Sequence, residues 1–268
     1  ACGQFVGVYP KDKSTLLPRP ISICEIDKEK NIPPYEGMFS AIVPCRDERE
    51  ALPIFYDEFI KVMDSAGASN FEIIFVEDGS KDGTLEFLRE LAARDKRVKY
   101  ISLSRNFGKE AAMYAGLREA KGDIAAIMDA DLQDPPALLP KMFEIMREDC
   151  CDSVATRRKN RTGESAVRSF CARAFYRILN SLSPLKFVEG ARDFRLINRR
   201  VIDAILEMPE YNRFIKGMYE WVGFKTKWLE FENVERCAGK TKWSFMGLVM
   251  YSLDALTSFS TIPLVIAA

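Results

Sequence analysis

An apolar run from Ile124 to Met128 stops abruptly in Asp129, Asp131, Gln133 and Asp134, followed by the proline pair Pro135 and Pro136. Asp129 and Asp131 stand two apart and Gln133 repeats the step, so a continued strand would aim all three side chains to one face. Hard oxygen donors in that arrangement suit Mg2+ or Mn2+, with positions left for water and substrate phosphates. A pair this short fits a solvated acidic loop equally well, so the flanking chain has to decide. No histidine occurs in the 268 residues. That removes the usual general base, every His-dependent triad and the commonest transition-metal ligand. A proton acceptor must then be a carboxylate or the substrate itself.

The elements that position these groups follow a repeating pattern. Phe39 to Val43 reads as a strand ending at Pro44, and Arg49 to Met63 carries Leu52, Phe55, Phe59 and Val62 at helical spacing. Phe71 to Val76 is a second strand, ending in Glu77, Asp78, Gly79 and Ser80, with a helix to Arg94. Val98 to Leu103 is a third, followed by Arg105 to Gly108 and a helix through Arg118, and the run at Ile124 is the fourth, with a helix from Pro136 to Arg147. Alternating strands and helices imply a mostly parallel, Rossmann-like α/β sheet with right-handed crossovers. Every strand then ends on one edge, where ligands bind in such sheets. Pro44, Asp47, Asp78, Asn106, Asp129 and Asp131 become neighbours there without being near in sequence. Neither a P-loop nor a dinucleotide-binding glycine fingerprint occurs.

Ser153 to Thr156 is a further strand leading into a cationic loop, Arg157 to Arg161, and a helix from about Glu164 to Leu182 that carries Arg168. On its own such a run is a solvated face; on the acidic edge it could hold a diphosphate or a phosphorylated acceptor. Asp193 precedes another strand-like run, and Thr226 to Phe231 alternates as a half-buried edge strand.

Residues 1–37, with five prolines, read as an extended arm without the apolar core of a signal peptide, residues 38–235 as the catalytic unit, and 236–268 as a basic loop followed by an apolar segment. The uncharged run Ala255 to Ala268 is 14 residues long, short of the roughly 20 needed to span a bilayer. Its basic and aromatic approach, Lys240 to Trp243, favours a membrane-proximal segment over a core helix. Lys+Arg and Asp+Glu are equal at 39 each, so no global field for nucleic acid exists. Seven cysteines without a C-x-x-C pair argue for a reducing compartment.

In that order, Ile42-Val43-Pro44 with Asp47, Glu77 to Thr84, and Asp129 to Pro136 resemble the family 2 glycosyltransferases of GT-A fold. Asp193 to Leu196 and Gly239 to Trp243 narrow the resemblance to the polyprenyl-phosphate glycosyltransferases, which include undecaprenyl-phosphate glucosyltransferases and dolichol-phosphate mannose synthases. The likeness covers about Phe39 to Ser260; the Q-x-x-R-W motif of processive synthases is absent. The transmembrane helices that follow in the glucosyltransferase branch lie outside these residues.

What the resemblance implies is an inverting, metal-dependent transfer of a hexose, glucose by first expectation, from a UDP-sugar to undecaprenyl or dolichyl phosphate at the cytoplasmic membrane face. Pro44, Asp47, Asp78 and Asp129 would hold the nucleotide sugar, Asp129, Asp131 and Gln133 the Mg2+ or Mn2+, and Arg157, Arg168, Lys240 and Lys242 the acceptor phosphate. Asp131 and Asp193 are the catalytic candidates. A GDP-mannose-dependent mannose synthase, a nucleotidyltransferase and a non-catalytic membrane-tethered scaffold stand as alternatives. Which hexose is moved, and whether the chain is a homo-oligomer, stay open.

Overall fold

The computed structural model describes residues 37–159, 185–188, 190–208 and 213–232, positions 177, 180, 181, 210 and 258, and the backbone of 6–8 and 19–21. Within the N-terminal arm, β1 (Val6–Val8) and β2 (Arg19–Ile21) pair antiparallel. The body is a seven-stranded sheet of β3 (Phe39–Cys45), β4 (Phe71–Glu77), β5 (Val98–Ser102), β6 (Ile124–Ile127), β7 (Ser153–Arg158), β8 (Ala191–Asn198) and β9 (Thr226–Phe231), in the order β5-β4-β3-β6-β8-β7-β9. β5, β4, β3 and β6 run parallel, as do β7 and β9. The exception is β8, antiparallel to both β6 and β7.

Central strands of a parallel sheet covered on both faces lose the alternation of a half-exposed strand. All seven residues of β4 are accordingly buried, and six of the seven in β3. One face is covered by α1 (Ala51–Ser65), α2 (Thr84–Arg94) and α4 (Leu139–Glu148), around Phe39, Phe55, Phe59, Phe71, Phe75 and Phe143. Each of these rings contributes about 1.5–3 kcal/mol by leaving water. The opposite face is covered by α3 (Lys109–Glu119), α5 (Arg199–Leu206) and α6 (Ile215–Val222), over Ile42, Ile74, Val76, Ile127 and Ile197. The helix expected from Pro136 begins as a single 3-10 turn, Pro136–Leu138, before α4 proper.

The end of the sheet away from the carboxylates is stitched by a buried acid. Glu72 accepts from Ser40 Oγ and the Lys121 amide, each at 2.7 Å, and pairs with Lys99. Burial alone would raise its pKa, yet these donors hold it below the usual value. Stability is thereby invested at one end of the strands, and the other is left for ligands.

Gly116 sets how closely α3 approaches the sheet, because a Cβ there would lie 2.3 Å from Ile42 Cγ2 and 3.1 Å from Val76 Cγ2. Alanine is the better helix former by roughly 1 kcal/mol, but the overpacking term opposes it and is larger. Gly116→Ala is expected to lose about 1–3 kcal/mol in urea unfolding; a gain in stability would contradict the close α3 packing.

Candidate active site

Three loops, at the C-terminal ends of β3, β4 and β5, are fastened by side chains that accept main-chain amides. Glu77, buried at the end of β4, accepts from the Ser80 amide and from Ser102 Oγ at 3.0 Å. Asp78 follows it and takes the amides of Phe107 at 2.6 Å and Gly108 at 2.9 Å. The loop before α3 is thus held against the end of β4. Only a glycine serves at position 79, where φ is +70° and a Cβ would sit 2.6 Å from the Asn106 nitrogen. Asp47, itself left-handed at φ 50°, accepts from the Lys81 amide at 2.8 Å while its own amide donates to Ser80 Oγ at 2.9 Å.

Strand β6 ends at Ile127, so Asp129 and Asp131 do not owe their placement to a two-residue strand period as the sequence suggested. A turn places them instead. Leu132 is forced left-handed at φ 58°, and Asp131 Oδ1 accepts from the Gln133 amide at 3.0 Å. A leucine in that region costs on the order of 1–3 kcal/mol, which the surrounding packing and ion pairs must offset. Part of that support is Asp134, fully buried and gripped by both arms of Arg192 at 2.8 and 3.0 Å. Arg192 belongs to β8, whose N-terminal end arrives at this edge because the strand runs antiparallel.

The same reversal brings Asp193 into the site. Ile127 and Arg195 are the last paired residues of β6 and β8 at this edge, and just beyond them Asp129 in the turn and Asp193 on β8 approach one another closely enough to share a partner. Like charges that close repel. Lys109 resolves the conflict: its Nζ lies 2.6 Å from Asp129 Oδ1 and 2.5 Å from Asp193 Oδ2. Lys216 on α6 approaches Asp193 Oδ1 at 3.3 Å and donates to the Ala191 carbonyl at 3.1 Å. Burial alone would lower the Lys109 pKa, but Asp129 and Asp193 push it above its ordinary value. Burial would likewise raise Asp193, and Lys109 with Lys216 instead hold it far below the usual carboxylate range. Lysine at the first residue of a helix runs against the helix dipole by about 0.3–1 kcal/mol, so helix stability does not account for it.

A cleft of about 360 Å3 opens over this edge, lined by Pro44 and Cys45 at the end of β3 with Arg46 and Glu48 beyond it, Asp78, Asn106, Gly108 and Lys109 around β4 and α3, and Asp129 to Asp131. Pro44, Asp78, Asp129 and Asp131 are therefore brought together, and Asp193 touches the cleft through Lys109. Asp47, which fastens the loop after β4, and Gln133, whose main-chain amide donates to Asp131, do not line it. Arg157 lies in β7 rather than in the expected loop and pairs with Glu230 on β9. Arg168, Lys240, Lys242 and the C-terminal apolar run lie outside the described residues, and among the described ones no helix is long and apolar enough to cross a membrane. Sequence reasoning missed Lys109 and Arg192. The signal for the first was a lysine opening a helix on the acidic edge; the second needed the direction of β8.

No three acidic or cysteine side chains among the described residues form a ready-made metal cage. Among the carboxylates that line the cleft, Asp129 and Asp131 lie two residues apart on the turn after β6. That donor set fits a hard divalent cation that keeps one or two protein ligands and takes the rest from substrate phosphates and water.

The sequence profile of Glycosyl transferase family 2 matches residues 40–206. A protein of Escherichia coli (strain K12) named prophage bactoprenol glucosyl transferase homolog is 40% identical over 225 residues, covering 84% of this chain and 73% of its own. Among solved structures, a glucosyl-3-phosphoglycerate synthase from Mycobacterium tuberculosis, crystallised with Mn2+, UDP-glucose and phosphoglyceric acid, superposes with a TM-score of 0.54 at 19% identity, over 83% of this chain and 78% of that one. A mannosyltransferase from Pyrobaculum calidifontis in complex with GDP-mannose and Mn2+ gives 0.52 at 18% identity, over 82% and 61%. These structures share the mostly parallel GT-A sheet.

Two outcomes follow from the buried charges. Asp134→Asn leaves the partly buried Arg192 beside a neutral partner and is expected to cost about 3–5 kcal/mol in denaturant unfolding; a loss under about 1 kcal/mol would contradict the pairing. Because the folded pKa of Asp193 is depressed, its stabilisation is complete above the unfolded value near 3.9 and is lost as pH falls below it. Stability curves of wild type and Asp193→Asn should keep a constant gap above about pH 5 and draw together steadily as pH falls below about 4 toward the depressed folded pKa; a gap that stays constant from about pH 6 to about pH 2 would contradict the depression.

Proposed function

From a chain that belongs to glycosyl transferase family 2, and is a glycosyltransferase, we propose a fuller reading: it moves glucose from UDP-glucose to a polyprenyl phosphate, with inversion, at the cytoplasmic face of a membrane. The observation that carries this is the cleft in which Asp129 and Asp131 face Asp78 and Lys109 from separate segments of the chain. The name of the Escherichia coli relative supports both the sugar and the lipid acceptor.

Each group in the cleft has work suited to its state. Asp78 holds the Phe107 and Gly108 amides and so fixes one wall for the nucleoside, with Pro44 beside it. Asp129 and Asp131 would hold Mg2+ or Mn2+, which supplies Lewis-acid neutralisation of a departing diphosphate when bound. Lys109 adds fixed positive charge at the same place, in a partly water-excluded setting where it counts for more than in bulk water. Asp193 is too weak a base for proton abstraction at neutral pH, since Lys109 and Lys216 keep it ionised; orienting the sugar or acceptor is the role that fits. No strong base is required. A phosphate monoester with a second pKa near 6 is already largely anionic at neutral pH, and its oxygen attacks the anomeric carbon directly as the nucleoside diphosphate leaves. Arg168, Lys240 and Lys242 are the cations proposed for the acceptor phosphate, and Arg157 would join them only by leaving Glu230.

Incubation with Mg2+ or Mn2+, a polyprenyl phosphate and a panel of sugar nucleotides tests the whole reading. Lipid-linked glucose with release of UDP is expected; transfer from GDP-mannose alone would replace the donor, and release of pyrophosphate would replace the reaction class. Asp131→Asn should lower transfer by about a hundredfold or more, on the scale of losing a key electrostatic contact, and leave the circular dichroism spectrum and melting curve intact. Wild-type turnover in that variant would sink the metal assignment.

A further inference from the structure

The charge arrangement around Lys109 has the form of a lock on an acidic pair. Asp129 lies in the turn after β6 and Asp193 on β8, both just beyond the last paired residues, Ile127 and Arg195. Between them stands a single ammonium, within 2.6 Å of an oxygen on each. Asp134 is paired with Arg192, and Lys216 stands on the other side of Asp193. The ammonium of Lys109 engages both carboxylate oxygens of Asp129, Oδ1 at 2.6 Å and Oδ2 at 2.9 Å. A divalent cation entering alone would have to share Asp129 with that ammonium, with no anion to balance the two positive charges. Entering with a diphosphate, it brings compensating negative charge.

We infer that Lys109 is a positioning residue that occupies the acidic pair as a built-in counter-cation and makes tight divalent-metal binding depend on the nucleoside diphosphate. The inference rests on the proposed placement of the metal at Asp129, and on nothing about which sugar or acceptor is used. The geometry gives Lys109 two functions at once. It prevents Asp129 and Asp193 from repelling each other apart in the empty cleft, and it keeps them from serving as a two-carboxylate trap for free cations. Its position at the start of α3, against the helix dipole, is consistent with a charge kept for the cleft rather than for the helix. Asp78 reinforces the position, since it grips the Phe107 and Gly108 amides immediately before Lys109.

The test is Mn2+ binding by the full chain without nucleotide, read from the electron paramagnetic resonance signal of free Mn2+. Wild type should bind Mn2+ weakly until UDP is added. Lys109→Gln should bind Mn2+ alone about tenfold more tightly or better, because a full charge is removed from beside two carboxylates, and Lys109→Arg should stay near wild type. Equal affinity in wild type and Lys109→Gln overturns the inference, and so does tight binding by Lys109→Arg. If circular dichroism shows Lys109→Gln unfolded, Asp193→Asn carries the test: Lys109 then serves Asp129 alone, so water-proton relaxation at high Mn2+ should report weaker nucleotide-free binding than wild type, and unchanged or tighter binding overturns the inference. Since none of these readouts needs sugar transfer, an inactive wild type with the expected Mn2+ pattern would count against the proposed function only, and an active one without it against Lys109 only.

Discussion

Bringing carboxylates from separate segments to one edge of a sheet is electrostatically unfavourable unless cations come with them. In this chain the carboxylates are Asp129, Asp131, Asp134 and Asp193, and the compensation comes from Lys109, Arg192 and Lys216. Breaking a buried pair by removing one partner costs far more than the pair itself contributes. The edge is consequently held in one arrangement: Arg192 fixes the turn through Asp134, and Lys109 fixes the distance between the turn and β8. The strained Leu132 persists only because both ends of its turn are pinned this way.

That balance depends on one topological choice. With β8 parallel to its neighbours, its N-terminal residues would lie at the far end of the sheet, where Glu72, Ser40 and Lys99 already form a satisfied polar network. Reversal brings Arg192 and Asp193 to the site and points them to opposite faces of the sheet. Arg192 reaches under the acidic turn toward Asp134, and Asp193 reaches the α3 side, where Lys109 waits. Consecutive residues on one strand thus serve two different jobs, as the alternation of a pleated strand requires.

Much of this was legible in the sequence. The strand and helix alternation from Phe39 to Glu148 is written in runs such as Phe71 to Val76, buried throughout, and in the edge strand Thr226–Phe231. The ordered motifs at Pro44, Asp78 and Asp129 pointed to the edge on which the cleft opens. What failed to show was anything set by long-range pairing. A two-residue spacing looks like strand continuation, yet the strand stops at Ile127 and a left-handed Leu132 makes the turn. Arg157 looked like loop cation because no sequence signal marks Glu230 as its partner across β7 and β9. Lys109 was hidden for a related reason: 84 residues separate it from Asp193, and only the sheet register joins them.

Family membership fixes the chemistry as glycosyl transfer, and the cleft supplies the parts a nucleoside diphosphate sugar would need. The claim on which the account turns is that Asp129 and Asp131 meet the diphosphate through a divalent cation. Calorimetric titration of UDP-glucose into the protein, with Mn2+ and then with excess chelator, addresses it directly. Stoichiometric binding that is lost on chelation is the predicted result; binding of equal strength without any divalent cation would contradict it.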